Sequence, residues 1–166
     1  YWAVPKAVGK YPVVITFMGY AARTWAPSGN RGGDRCEFIL SIRGQGLNTE
    51  YNTYGEWMCY GLDNKNDYYY RGAFMDTIRA IDFVFSQQAT DARCVLLEGG
   101  SQGGALTLAA ASLDGRVAGA APYVPFLGDF RDYFDIVDWP GNKFFAEANR
   151  LGISDEQMFH TLTYFD

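Results

Sequence analysis

The chain has 166 residues, 48% of them hydrophobic, and 14 Lys and Arg against 19 Asp and Glu give a net charge of −5. That length and composition suit one domain with a substantial core and exclude a disordered chain. There is no basic cluster to neutralise phosphates and no apolar run near the roughly 20 residues needed to span a bilayer, so neither nucleic acid nor a membrane is an expected partner and a neutral substrate is favoured.

Taken in chain order, residues 1–4 read as the end of a strand and 5–11 as a connection. The β-branched run 12–17 reads as a strand buried on both faces. Residues 21–34, rich in Gly, Arg and Ser, fit no single element. Residues 36–42 form the next strand, which ends in Arg43-Gly44-Gln45-Gly46. A long surface loop is expected over 47–66, where binding residues tend to sit. Asn66-Asp67 then offers an N-cap for a helix over 68–87, with Phe74, Ile78, Ile81 and Phe85 at helical spacing on one face. Residues 94–97 form a buried strand, with Cys94 as one of its core residues. A helix follows Ser101, residues 117–123 give one further strand, and 140–150 and 154–163 give two short helices. The β-α-β order implies a parallel sheet wrapped by helices, with ligands at the carboxyl ends of the strands. No internal repeat or linker divides the chain, so residues 1–166 are expected to be a single α/β domain.

Cys36, Cys59 and Cys94 are odd in number, far apart, and form no C-x-x-C pair, which points away from zinc and redox chemistry. Aromatic residues are 17% of the chain, and most are expected to fill the core, although exposed aromatic faces also suit sugars. No signal peptide is visible, and because the chain begins at Tyr1 without a methionine the compartment, cytoplasmic or secreted, stays open.

The chemistry concentrates in Glu98-Gly99-Gly100-Ser101-Gln102-Gly103-Gly104. A Gly-Ser-Gly cluster is often an ordinary loop. Here an apolar strand precedes it and an alanine-rich helix follows, which is the context of the G-x-S-x-G nucleophile elbow of α/β-hydrolases. In that turn Ser101 takes a strained backbone conformation that lifts its hydroxyl above the sheet, and only residues without a Cβ, Gly99 and Gly103, fit beside it. The helix starting at Gln102 aims its free N–H groups and positive dipole end at the place where an oxyanion forms.

Further motifs accompany the elbow: Arg43-Gly44-Gln45-Gly46, Gly55-Glu56-Trp57-Met58 with Gly61-Leu62, and Tyr68-Tyr69-Tyr70-Arg71-Gly72 with Asp76, Arg79 and Ala80. In this order, over nearly the whole chain, they resemble the acetyl xylan esterase and cephalosporin C deacetylase family. The resemblance implies an α/β-hydrolase fold, present here as a truncated, mainly parallel sheet with flanking helices. It also implies a Ser-His-Asp triad that removes acetyl groups from sugars such as acetylated xylan, or from a cephalosporin-type substrate, without metal or cofactor. Closed homo-oligomers are the family's usual assembly. Ser101 matches the nucleophile, and the two backbone oxyanion donors fall on Gln102 and on Tyr20 of Met18-Gly19-Tyr20. His-Gly-Tyr is usual at that point, so Met18 is a departure that bears on local packing and not on the backbone donor.

Arg43 and Gln45 follow a strand two places from the elbow. On spacing alone a polar turn and a loop-tying role are equally good readings, and the resemblance favours the second. Glu98, where a small residue is usual, should be paired, and Arg43 is a candidate partner. The only histidine, His160, lies in an amphipathic helical stretch one strand after the elbow. The triad order is serine, acid, histidine, with the last two following later strands, so His160 reads as a surface or packing residue and the triad's acid and base are expected after Asp166. The alternatives that remain are another serine hydrolase on the same scaffold, such as a peptidase or broad carboxylesterase, and an inactive carbohydrate-binding homologue.

Overall fold

Alternation between Tyr11 and Phe17 builds the central strand: Val13, Ile15 and Phe17 are buried, whereas Val14 and Thr16 are only half-buried. The computed structural model describes residues 1–22, 33–46 and 56–166. Five strands, β1 (Trp2–Ala3), β2 (Tyr11–Phe17), β3 (Cys36–Leu40), β4 (Thr90–Gly100) and β5 (Gly119–Tyr123), form one sheet in the order β1-β3-β2-β4-β5. All neighbours are parallel except β1, which pairs antiparallel with β3. The parallel register places Phe17 beside Leu40 on one side and beside Gly99 on the other, so the carboxyl ends of β2, β3 and β4 finish together. That shared edge is where a parallel sheet presents its loops to a ligand.

Helices α1 (Tyr69–Ser86) and α2 (Gln102–Leu113) join Val13, Ile15, Phe17, Val95 and Leu97 in one core. The opposite face is not closed: Leu96 and Glu98 are exposed, which corrects the reading of β2 as buried on both faces. Period-2 burial, not a continuous apolar run, is the pattern that β2 and the end of β4 obey. On α1 the fully buried positions are Tyr69, Tyr70, Ala73, Thr77, Ala80, Ile81 and Val84. Phe74, Ile78 and Phe85 lie at the margin of that stripe and are partly buried. Small residues occupy the centre because α1 packs against both the sheet and α2.

Other expectations also shift. The cap of α1 is Tyr68, without a side-chain cap bond. Asn66 and Asp67 instead belong to a preceding turn, in which Asn64 Nδ2 donates to Asp67 at 2.6 Å and Asn64 Oδ1 accepts from Asn66 N–H at 3.0 Å. Part of the expected surface loop is interior, for Trp57–Cys59 forms a 3-10 turn in which Met58 and Cys59 are buried, as is Leu62. Residues 47–55, and most of the ambiguous segment 21–34, lie outside the described residues. Cys94 is half-exposed rather than core, because it sits at the unburied start of β4's alternation. A short helix not anticipated from the sequence, α3 (Phe130–Ile136), packs Phe130 and Phe134 against Phe144 of α4 (Gly141–Leu151). The last helix, α5 (Asp155–Leu162), begins with a capping box between Ser154 and Gln157.

The far end of α2 is tied down by charge. Buried Asp114 accepts from Arg116 Nε at 2.9 Å and from its backbone N–H at 3.0 Å, and Arg116 Nη2 reaches Asp82 of α1 at 2.7 Å. The Arg116 guanidinium, through its hydrogen bonds, holds the Asp114 carboxyl below the usual aspartate range. A carboxyl depressed in the folded state stabilises fully above its unfolded pKa, near 3.9 on ordinary values, and that contribution is lost as pH falls through the native value. Asp114→Asn is therefore expected to be less stable than wild type at about pH 7, with the gap closing in acid below about pH 4. Urea midpoints over that range measure it, and a pH-independent gap would contradict the assignment.

Candidate active site

Ser101 is the single residue between β4 and α2. Its backbone sits at φ 56° and ψ −122°, a positive φ that a serine holds only where its surroundings impose it. Its neighbours impose it by proximity. A Cβ on Gly103 would lie 2.1 Å from the Phe17 carbonyl oxygen, and one on Gly99 would lie 2.4 Å from that of Gly103. The Ser101 N–H donates to Tyr123 C=O at 3.2 Å, and its own C=O accepts from Phe126 N–H at 3.1 Å, fixing the turn to the end of β5. The residue is exposed while Gln102 to Thr107 behind it are buried, so the serine stands at the surface on a rigid base.

Tyr20 lies just beyond β2, in a turn closed by the Ala22 N–H on Gly19 C=O at 3.2 Å, with Ala21 at φ 52°. Gly19 approaches the elbow: a Cβ there would lie 3.6 Å from the Gly100 carbonyl oxygen. Among the described residues neither the Tyr20 N–H nor the Gln102 N–H has an acceptor. The Tyr20 hydroxyl donates to the Glu56 carboxylate, and its ring meets Trp57 and Trp139 edge-on at 5.4 and 6.4 Å. Burial, and then Glu56, push the phenol pKa upward, so Tyr20 stays a neutral donor. Burial likewise pushes the Cys59 thiol up to about 12, with Glu56 adding to it, which keeps that thiol protonated near neutral pH.

Arg43 and Gln45 occupy the turn after β3. Arg43 grips Asp76 of α1 with Nε at 2.9 Å and Nη2 at 2.6 Å, and its backbone N–H also donates to that carboxylate at 3.1 Å. Arg43 is therefore not the partner of Glu98, which accepts from Thr16 Oγ1 at 2.8 Å on the open face of the sheet. Glu98 points away from the core because it alternates with the buried Leu97 and Gly99. Gly72 makes room for the guanidinium, since a Cβ there would lie 2.1 Å from Nη1.

Gln45 is buried and donates to the Tyr69 hydroxyl at 2.9 Å and to Gln102 Oε1 at 3.0 Å, while its Oε1 accepts from Ala21 N–H at 3.0 Å. The fully buried Gln102 side chain donates to Met18 C=O and to Gln45 Oε1, both at 3.3 Å, and accepts from the Tyr70 hydroxyl at 2.9 Å. The side-chain roles of Gln102, Tyr69, Tyr70 and Asp76 are not visible in the sequence. Tyr68-Tyr69-Tyr70 stands out as a motif, but which hydroxyl reaches the elbow is set by the rotation of α1. His160 is exposed on α5, with its ring edge-on to Tyr164 at 5.5 Å.

The chain matches the family model for acetyl xylan esterase (AXE1) over residues 1–166. It belongs to the acetyl xylan esterase family. Among curated proteins it is 32% identical to the acetyl esterase Axe7A of Xylanibacter ruminicola, covering 100% of this chain and 40% of that protein. Among solved structures it resembles the acetyl xylan esterase from Paenibacillus sp. R4, with a TM-score of 0.85, 31% identity, and coverage of 99% of this chain and 57% of the other. It also resembles Acetyl Xylan Esterase 1 from Thermoanaerobacterium sp. JW/SL YS485, with a TM-score of 0.82, 28% identity and the same coverage. The chain thus spans about two fifths of the curated relative and just over half of each solved structure.

The packing around Ser101 makes Gly103 intolerant of any side chain. Gly103→Ala is expected to cost on the order of 3 kcal/mol, because the obstructing atom is a backbone oxygen that cannot rotate away. Gly115→Ala, with nothing within 4 Å of the added carbon, is expected to stay within about 0.5 kcal/mol of wild type. Urea unfolding of the two variants side by side checks the difference.

Proposed function

We propose that this chain carries the nucleophile and both oxyanion donors of a serine esterase that removes acetyl groups from sugar hydroxyls. The observation that carries the reading is Ser101, exposed at positive φ between a parallel strand and the N-terminus of α2, with the Tyr20 and Gln102 N–H groups lacking an acceptor among the described residues. In this reading Ser101 Oγ attacks the acetyl carbonyl carbon while a base takes its proton. The carbonyl oxygen becomes an oxyanion that accepts from the Gln102 and Tyr20 N–H groups. Collapse breaks the bond to the sugar oxygen, which leaves with the proton held by the base. Water then repeats the sequence on the acetyl-serine and releases acetate.

The base and its orienting acid are proposed to come from outside these 166 residues. His160, the only histidine here, sits exposed on α5 with its ring packed against Tyr164, itself capped by Lys65 Nζ at 3.7 Å from the ring centre. Acetylated xylo-oligosaccharides are the favoured substrates. The names of the matched relatives support this, as do the exposed Trp139 and the Tyr20 ring, which offer apolar faces of the kind that stack on sugars. A 3-acetoxymethyl cephalosporin is the alternative acetyl donor, and parallel assays with both substrates separate them.

Ser101→Ala in the full-length protein is expected to remove nearly all hydrolysis of p-nitrophenyl acetate while leaving the circular dichroism spectrum unchanged. Retention of most activity would overturn the assignment. His160→Gln is expected to change kcat by less than about tenfold, whereas loss of a true general base costs on the order of 10² or more. A folded His160→Gln protein slowed by several orders of magnitude would place the base within this chain.

A further inference from the structure

Two amides, those of Gln45 and Gln102, lie buried beneath the elbow. Gln45 and Gln102 face each other as a reciprocal amide pair, with Gln45 Nε2 donating to Gln102 Oε1 at 3.0 Å and Gln102 Nε2 donating to Gln45 Oε1 at 3.3 Å. Each amide has two donor and two acceptor positions, and all eight are used. The remaining four bonds run to the Tyr69 hydroxyl, the Tyr70 hydroxyl, the Met18 carbonyl and the Ala21 N–H. The last two partners fix both amides, because Met18 C=O only accepts and Ala21 N–H only donates. Flipping either amide would set like against like. Tyr69 in turn donates to Arg43 C=O at 2.7 Å, and burial keeps Tyr70 a neutral donor.

The two backbone anchors bracket Tyr20. Met18 lies two residues before it and Ala21 one residue after, and Ala21 sits at φ 52°, a left-handed conformation that a non-glycine residue holds only against opposition. Gln102, whose own N–H is the other oxyanion donor, is the residue whose side chain reaches across to Met18. We propose that the Gln45–Gln102 amide pair, oriented by Tyr69 and Tyr70, is the positioning device that fixes the Tyr20 N–H relative to the Gln102 N–H, so that both donors meet one oxyanion. The proposal rests on the assignment of those two N–H groups as oxyanion donors. None of the four side chains needs to touch the substrate. They act through the backbone, by making the turn after β2 and the start of α2 one rigid unit. A donor displaced by a fraction of an ångström stabilises the transition state less while leaving ground-state binding largely intact.

The test uses the full-length protein, with active serines titrated to completion by diethyl p-nitrophenyl phosphate so that kcat refers to competent sites only. Gln102→Glu keeps the size but replaces the donor to Met18 C=O by an acceptor, and Gln45→Met removes all four of that amide's bonds. Each is expected to lower kcat by 10- to 100-fold, on the order of a misplaced oxyanion donor, with KM within about threefold. The double variant is expected to cost little more than either single one, since the pair acts as a unit. Should these not fold, Tyr70→Phe and Tyr68→Phe carry the test. Both remove a buried hydroxyl from the start of α1, but Tyr68 donates to Met58 C=O and bonds neither amide. Tyr70→Phe is expected to lower kcat about three- to tenfold, and Tyr68→Phe to lower stability without lowering kcat. Full kcat per titrated serine in Tyr70→Phe or the glutamine variants, or an equal loss in Tyr68→Phe, would overturn the proposal. Ser101→Ala separates this outcome from failure of the underlying reading: if it stays active, the donors themselves are misassigned.

Discussion

The positive φ of Ser101 is the constraint around which the described structure is arranged. A serine in that conformation is costly unless packing leaves it no alternative, and the packing is made of backbone: the carbonyl of Phe17 on β2, the carbonyl of Gly103 on α2, and the end of β5 at Tyr123. Three strands must therefore end at one level, which the parallel register of β2, β4 and β5 ensures. The same close approach that strains the serine also starts α2 directly behind it. Strain, exposure of the hydroxyl and availability of the helix N-terminus are one geometric fact.

Beneath that turn the protein buries polar groups where an apolar core would be simpler. Two amides and two phenols that are buried would be destabilising if any one lacked a partner, since each unmade bond costs the desolvation of its group. Here every position of both amides is filled, so the network specifies one arrangement of the loops after β2 and β3. Arg43 and Asp76 extend the same logic toward the surface, where a two-pronged ion pair holds the β3 turn against α1. The family's sequence signatures thus correspond to contacts between elements rather than to separate local structures.

Much of this was legible from residue order. The glycines on either side of Ser101, the apolar strand before it and the small-residue helix after it are local rules of sterics, and the elbow followed from them. The parallel α/β arrangement followed from alternating strand and helix patterns, and the place of Arg43 and Gln45 after the strand two positions from the elbow followed from strand order. The burial of β2 on one face, the half-exposure of Cys94 and the turn role of Asn66 and Asp67 did not, because each depends on what packs against the element rather than on its own composition.

Pairing was decided only in three dimensions. Arg43 is close to Glu98 in strand order, yet the alternation along β4 turns Glu98 to the open face while α1 brings Asp76 to the guanidinium. Tyr68, Tyr69 and Tyr70 are chemically identical and consecutive, but Tyr68 is the non-helical cap of α1 and successive helical residues diverge by about 100°, so one hydroxyl reaches Met58, one Gln45 and one Gln102. The sequence by itself determined the glycine-flanked turn at Ser101 and the fold class, because these depend on short-range sterics and periodicity, whereas Tyr20 and Gln102 are picked out by the family resemblance. Only the tertiary structure decided which side chains hold them in place, because a hydrogen bond between residues dozens of positions apart is set by helix rotation and strand register, which no local pattern encodes.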